Sequence, residues 1–156
     1  MNAQLAQQSP ATTATTFVKI GADGQHLAAD ATGHAAVLDT STNLMHAVGV
    51  CADELTEEEI TELLAKLNAE RHAGFDGWRL PTVKEGFSIT DHTRYLPAAN
   101  TDFFPDMKSD WYRTSDPTPW SSDYVFCVLF GYGNVHYLHR HGEAFVRPVR
   151  SVSPGQ

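Results

Sequence analysis

Cysteine is nearly missing from this chain of 156 residues: there are two, Cys51 and Cys127. They stand far apart and form no metal-binding spacing, and a disulfide between them is the less favoured reading. The chain is long enough to bury a core without such staples. Positive charge is also short, with eleven Lys and Arg against nineteen Asp and Glu and a formal charge of -8. That balance argues against nucleic acid or an anionic membrane as a partner, since both reward a basic surface. Long apolar runs are absent, so no membrane insertion is expected. No Ser-His-Asp order, phosphate-binding glycine loop or H-E-x-x-H pattern occurs, and there is no internal repeat. The first residues, "MNAQLAQQSPATTATT", carry neither the basic nor the apolar region of a secretion signal. A cytoplasmic protein, or one that leaves within an assembly, is the resulting expectation.

What is present is an ordinary globular composition, 42% apolar and 10% aromatic. Residues 1–16 are too polar to bury a core and read as a flexible arm or attachment segment. Residues 17–152 read as one α+β domain. "TFVKIGADGQHL" predicts two short strands about a turn at Asp23-Gly24, and "HAAVLDTSTNLMHAV" two more about a turn in which Asn43 takes the left-handed conformation. Thr56 and Glu59 form a capping box, followed by an apolar stripe of Ile60, Leu63, Leu64 and Leu67. The helix they predict is expected to stop near Gly74, its acidic N-terminal half being a solvated face. Thr82 and Glu85 predict a second, shorter helix after Pro81, weakened by Gly86. Residues 100–121, rich in proline and turn formers, read as a loop. "DYVFCVLF", "VHYLHRH" and "AFVRPVRSV" then predict a C-terminal antiparallel meander.

Chemistry is suggested in two places. In "GFDGWRLPT", Trp78 and Leu80 read as buried, Pro81 as a helix entry, and Arg79 as half of a structural ion pair rather than an anion clamp. In "HYLHRH", His139 and His141 share a strand face with Tyr137 while His136 points away, a poor ligand set with no carboxylate motif beside it. No metal or other cofactor is expected. Trp111, Tyr112, Trp120, Tyr124, Tyr132 and Tyr137 gather in the C-terminal half. Core packing accounts for most of them, and a recognition surface of polar-tipped aromatics accounts for the rest.

"VLDTSTNLMH", "GFDGWRLPTVKE", "TDFFP", "DWYRTS", "YVFCVLFGYGNV" and "FVRPVR" follow one another in an order that resembles the Lcl-type C-terminal domain family, named for a collagen-like adhesin. The resemblance covers about residues 17 to 150, and W-R-L-P-T and V-R-x-V-R are its most specific marks. It implies a C-type-lectin-like fold, similar also to formylglycine-generating sulfatase modifiers, with one or two helices on antiparallel sheet and long loops. It implies binding rather than catalysis. The chain departs from the family at His46, where Trp is usual, at Gly86, at Pro148 in place of a frequent Cys, and at Arg113, where a second aromatic is usual. The calcium-and-sugar signatures of classical C-type lectins are missing, as is the cysteine pair of formylglycine chemistry.

The resulting expectation is a non-enzymatic domain that recognises a cell-surface ligand, glycan or protein. Its setting would be a phage virion or tail, alone or beside other virion proteins, or an adhesin-like context, with a homo-oligomer expected. The alternatives are an enzyme of the formylglycine-generating fold using the histidines and Cys127, and a structural virion or assembly subunit. The candidate ligand-binding residues are Tyr112, Arg113, Trp120, Tyr124, Tyr132, Asn134, Tyr137, His139 and His141. The tyrosine, asparagine, histidine and serine content of residues 112 to 141 is also compatible with a diversified variable region.

Overall fold

In the computed structural model, residues 16–153 are described. Four short strands come first: β1 (Phe17–Ile20), β2 (His26–Leu27), β3 (Ala36–Asp39) and β4 (Leu44–Ala47). As the sequence predicts, Asn43 makes the β3–β4 turn with a φ of 55°. The expected arm lies outside the described residues apart from Thr16, whose hydroxyl donates to Asp39 at 2.8 Å. The last strand, β8 (Val149–Ser151), returns to complete an antiparallel sheet in the order β2-β1-β3-β4-β8.

Strand alternation gives this sheet two apolar faces. On one, Ile20, Leu38 and Met45 pack with Leu67, Ala73 and Trp78. On the other, Val37 packs with Phe103, Phe104, Met107, Tyr112, Val128 and Phe130. Both faces are covered, so the sheet is the middle layer of the domain.

Helix α1 (Glu57–Ala69) forms behind the predicted capping box and buries Ile60 and Leu67. It ends before the expected stop at Gly74. Arg71 turns left-handed, with a φ of 49°, and a 3₁₀ turn spans His72–Gly74. Gly74 instead closes that turn against the first hairpin, with a φ of 85°, and a Cβ there would lie 3.2 Å from the Asp23 carbonyl oxygen. Only glycine allows both the conformation and the close approach.

The stretch "GFDGWRLPT" is structural, as expected. Trp78 is buried, and its indole N–H donates to the Phe75 and His72 carbonyls at 2.9 and 3.1 Å. Arg79 exchanges two backbone hydrogen bonds with Val149, which ties the stretch to β8. Helix α2 (Val83–Phe87) follows, and its capping box joins Thr82 and Glu85. Gly86 faces Val128 and Thr114, where a Cβ would make ordinary contacts at 3.4 and 3.7 Å.

Two expectations about the second half are corrected. Residues 100–121 are not all loop, because β5 (Trp111–Thr118) is a strand paired with β6 (Ser121–Leu129). It tolerates Pro117 because β5 lies at the side of a three-stranded sheet and its register shifts around that residue. The meander is β5-β6-β7, with β7 (Asn134–His139) outermost, and "AFVRPVRSV" leaves it to place β8 in the other sheet. The architecture is α+β, in keeping with the C-type-lectin-like class.

Candidate ligand-binding site

The β6–β7 register sets Phe126 opposite Tyr137 and Tyr124 opposite His139. Directly opposed side chains in an antiparallel pair lie on one face and touch. Tyr124 meets Tyr137 edge-on at 5.7 Å and His139 at 5.4 Å between ring centroids. Trp120, in the tight turn between β5 and β6, closes the group with edge-on contacts of 5.3 Å to Tyr137 and 5.8 Å to Phe126. His141 extends it, its ring 5.3 Å from that of His139.

The result is an aromatic strip along the outermost strand of the smaller sheet. Trp120 remains 59% exposed and Tyr137 43% exposed although both are packed on neighbours. Rigid rings that hold one another in place while facing solvent offer contact area at low entropic cost. Five of the nine predicted residues, Trp120, Tyr124, Tyr137, His139 and His141, are therefore brought together. Phe126 belongs to the strip and is missing from the predicted set, although alternation in "DYVFCVLF" already puts it on the face of Tyr124.

Tyr132 and Asn134 are exposed but stand at the other end of the hairpin, in and just after the β6–β7 turn. Gly133 is required there: its φ is 78°, and a Cβ would come within 3.0 Å of the His92 ring, whose Nε2 meets the Gly133 carbonyl at 2.7 Å. Beside this turn Tyr95 and Leu96 are 73% and 56% exposed, and the Leu96 N–H donates to Gly131.

Tyr112 and Arg113 are expected on the recognition surface, but the structure places both inside. Tyr112 is 5% exposed, packs on Phe130 and Phe145, and accepts the Lys108 N–H at its hydroxyl. Arg113 is equally buried and donates to the Arg140 carbonyl at 2.7 Å, with Glu57 at 3.4 Å. Burial pulls its pKa below the usual arginine range, and Glu57 opposes that shift. Glu57 also accepts from Arg140 at 2.9 Å, and that hydrogen bond holds its carboxyl below the usual range. This network fastens the start of α1 to the end of β7. Its chemistry is structural, because both terminal nitrogens of the buried guanidinium meet protein oxygens, while Nε is buried without a partner.

The remaining reactive side chains are quiet. Both thiols are free, and burial pushes Cys51 up and Cys127 up to about 12. A thiol in that range is not a poised nucleophile at neutral pH. His46 is fully buried and driven down to about 3, first by burial and then by the Arg147 charge, so it is neutral. Among the described residues, no group of three or more His, Cys, Asp or Glu is placed to hold a metal ion.

Arg147, in the closing "VRPVR", is buried between the Phe104 and Tyr112 rings and paired with Asp106 at 2.9 Å. The two most specific sequence marks, W-R-L-P-T and this segment, are thus parts of one interlocked core. The family model of the Lcl C-terminal domain matches residues 35–150. The chain belongs to that family. Membership sets it among adhesin-like binding domains. No curated protein and no solved structure matches the chain. Within the Lcl C-terminal domain boundaries fall the aromatic strip, both helices and the Arg147 lock, whereas β1 and β2 precede the matched segment. No helix among the described residues is long and apolar enough to cross a membrane.

Proposed function

We propose that this domain binds a cell-surface ligand, glycan or protein, without chemistry, and that the aromatic strip of Trp120, Tyr124, Tyr137 and His139 is the contact face. The observation that carries the reading is the exposed pair of Trp120, in the β5–β6 turn, and Tyr137, on β7, held edge-on at 5.3 Å. Solvent-facing rings that are already ordered lose little freedom when a partner covers them. Their polar tips suit sugars or a polar peptide surface as well as an apolar one. The high pKa of Cys127 and the poor placement of the histidines for joint ligation support binding over catalysis. The setting we propose is a virion tail or an adhesin, where a domain of this family meets a cell.

The test is binding of the labelled protein to cells and to a glycan array. Trp120→Ala and Tyr137→Ala should each weaken binding about tenfold or more while leaving unfolding curves intact, as expected for anchor residues. Unchanged binding by both variants would move the contact face elsewhere.

A further inference from the structure

A second site lies on the opposite part of the molecule, over the sheet face that packs on Trp78. Cross-strand pairing aligns Val18, Leu38, Met45 and Arg150 in one row across β1, β3, β4 and β8. Three apolar side chains are thus followed by a guanidinium. A cation in such a row calls for a partner, because removing charge from water is costly without one.

Arg150 has only a remote one, the Asp76 carboxylate, whose charge acts on it from beyond ion-pair distance. Among the described residues no carboxylate lies within ion-pair distance of it, and its Nη1 is buried with no hydrogen-bond acceptor. Its Nε donates to the Asp76 backbone carbonyl at 2.8 Å, and the guanidinium lies 4.4 Å above the Phe75 ring. Orientation is therefore set before any ligand arrives. Burial pulls its pKa below the usual arginine range. The Asp76 carboxylate is turned instead toward Arg71, at 3.5 Å.

Beside these groups opens a cleft of about 420 Å³, floored by Ile20, Leu38 and Met45 and rimmed by Arg71, Phe75, Asp76 and Arg150. The size is within the range of small-molecule sites. The Asp76 carboxylate on the same rim is paired with Arg71, so two guanidiniums against one carboxylate leave the cleft one positive charge in excess, in a protein whose net charge is -8.

We propose that this cleft binds a small organic carboxylate with an apolar body, the carboxylate meeting Arg150 and Arg71 and the body lying on Leu38 and Met45. With Nε held by the Asp76 carbonyl and Nη1 buried, Arg150 Nη2 is the donor left for a carboxylate, in a charge-assisted hydrogen bond. A bare anion would leave the floor unused, and an uncharged apolar molecule would leave Arg150 unpaired.

Amide-resolved NMR titration of the full chain decides it, with benzoate as the probe, benzyl alcohol as its uncharged counterpart and inorganic phosphate as an anion without an apolar body. Benzoate should give saturable shifts centred on Leu38, Met45, Phe75 and Arg150, and neither control should. Arg150→Gln should weaken benzoate about tenfold or more, the scale of a lost charged pair. Arg71 is well exposed, so Arg71→Gln should fold normally and also weaken it, which keeps the test decisive if the first variant misfolds. The proposal is overturned by an absence of saturable shifts, by shifts elsewhere, by phosphate or benzyl alcohol matching benzoate, or by Arg71→Gln binding benzoate like the parent chain.

Discussion

Arg79 grips Glu85 with both terminal nitrogens, at 2.7 and 2.9 Å, while Glu85 Oε1 also accepts the Thr82 N–H at 2.9 Å. One carboxylate thereby caps α2 and anchors the strand-like segment that pairs with β8. The Arg79 hydrogen bonds, aided by Thr82, overcome burial and hold Glu85 down to about 2, against an ordinary 4.5.

Acid stability should report this pair. Because the folded-state pKa is depressed, the stabilisation is complete above about 4.5 and fades as pH falls from there through about 2. Its size is on the order of 2 kcal/mol, after allowing for the solvent screening of Arg79. Glu85→Gln should therefore lower the melting temperature at pH 7 and flatten its dependence on pH between 4.5 and 2. An unaltered acid limb in the variant would show that the pair contributes nothing there.

Trp78→Ala should destabilise the domain by about 3–5 kcal/mol, the range for removing a buried large aromatic. The loss has two sources, since the ring fills the face shared with Leu67 and Met45 and its N–H holds the turn after α1. Denaturant unfolding would measure it. A variant of equal stability would mean that the segment is not the structural joint described.

Much of the fold is legible in the sequence because its strongest signals are local. Thr56 with Glu59, Thr82 with Glu85, and Asn43 each act within a few residues, and each does what its neighbours dictate. The errors arise where distant partners decide. Pro117 and Pro119 read as loop, yet a register shift against β6 absorbs Pro117 within a strand. Arg113 reads as ligand-facing because it stands where the family usually has an aromatic, whereas its partner Glu57 lies far away in sequence at the start of α1. Arg150 reads as one more strand arginine. Only the cross-strand row reveals that it sits beside Met45 with its Nη1 unpaired.

Thiol reactivity gives a third expectation. Cys127 is fully buried and held at about 12, so a thiol reagent at pH 8 should leave it unmodified in the native protein and modify it on unfolding. Cys51 is only partly buried and should react slowly in the folded state. Rapid native labelling of Cys127, followed by mass spectrometry, would refute this placement.

Gly86 invites a substitution in two sizes. A Cβ there would meet Val128 Cγ2 at 3.4 Å and Pro81 and Thr114 carbon atoms at 3.7 Å, which is ordinary contact. Alanine also removes the entropic penalty of a helical glycine, so Gly86→Ala should be neutral or stabilise by up to about 1 kcal/mol. Gly86→Leu should destabilise by about 1–3 kcal/mol through overpacking. Thermal unfolding of both variants checks the pair of signs. A stabilised leucine variant would mean that α2 moves freely away from β6.

The sharpest contrast lies between Arg113 and Trp120, neighbours in the same half of the chain with opposite surroundings. Removing the Arg113 guanidinium strips the Arg140 carbonyl of its 2.7 Å donor and leaves Glu57 to Arg140 and, more distantly, His141. Glu57 and Arg140 are partly exposed to solvent and can turn to water, so the cost lies in the lost packing of the buried Arg113 side chain and in the carbonyl left without its donor. Arg113→Ala should therefore destabilise by about 1–3 kcal/mol, with amide exchange rising at the start of α1 and the end of β7 together. Trp120 sits on the outside of the sheet, and Trp120→Ala should change stability by less than about 1 kcal/mol while weakening the proposed ligand contact. Measured side by side, unfolding free energy and cell binding should separate the two residues completely. An Arg113 variant that keeps its stability and loses binding would return the site to the buried side of β5 and remove it from the aromatic strip.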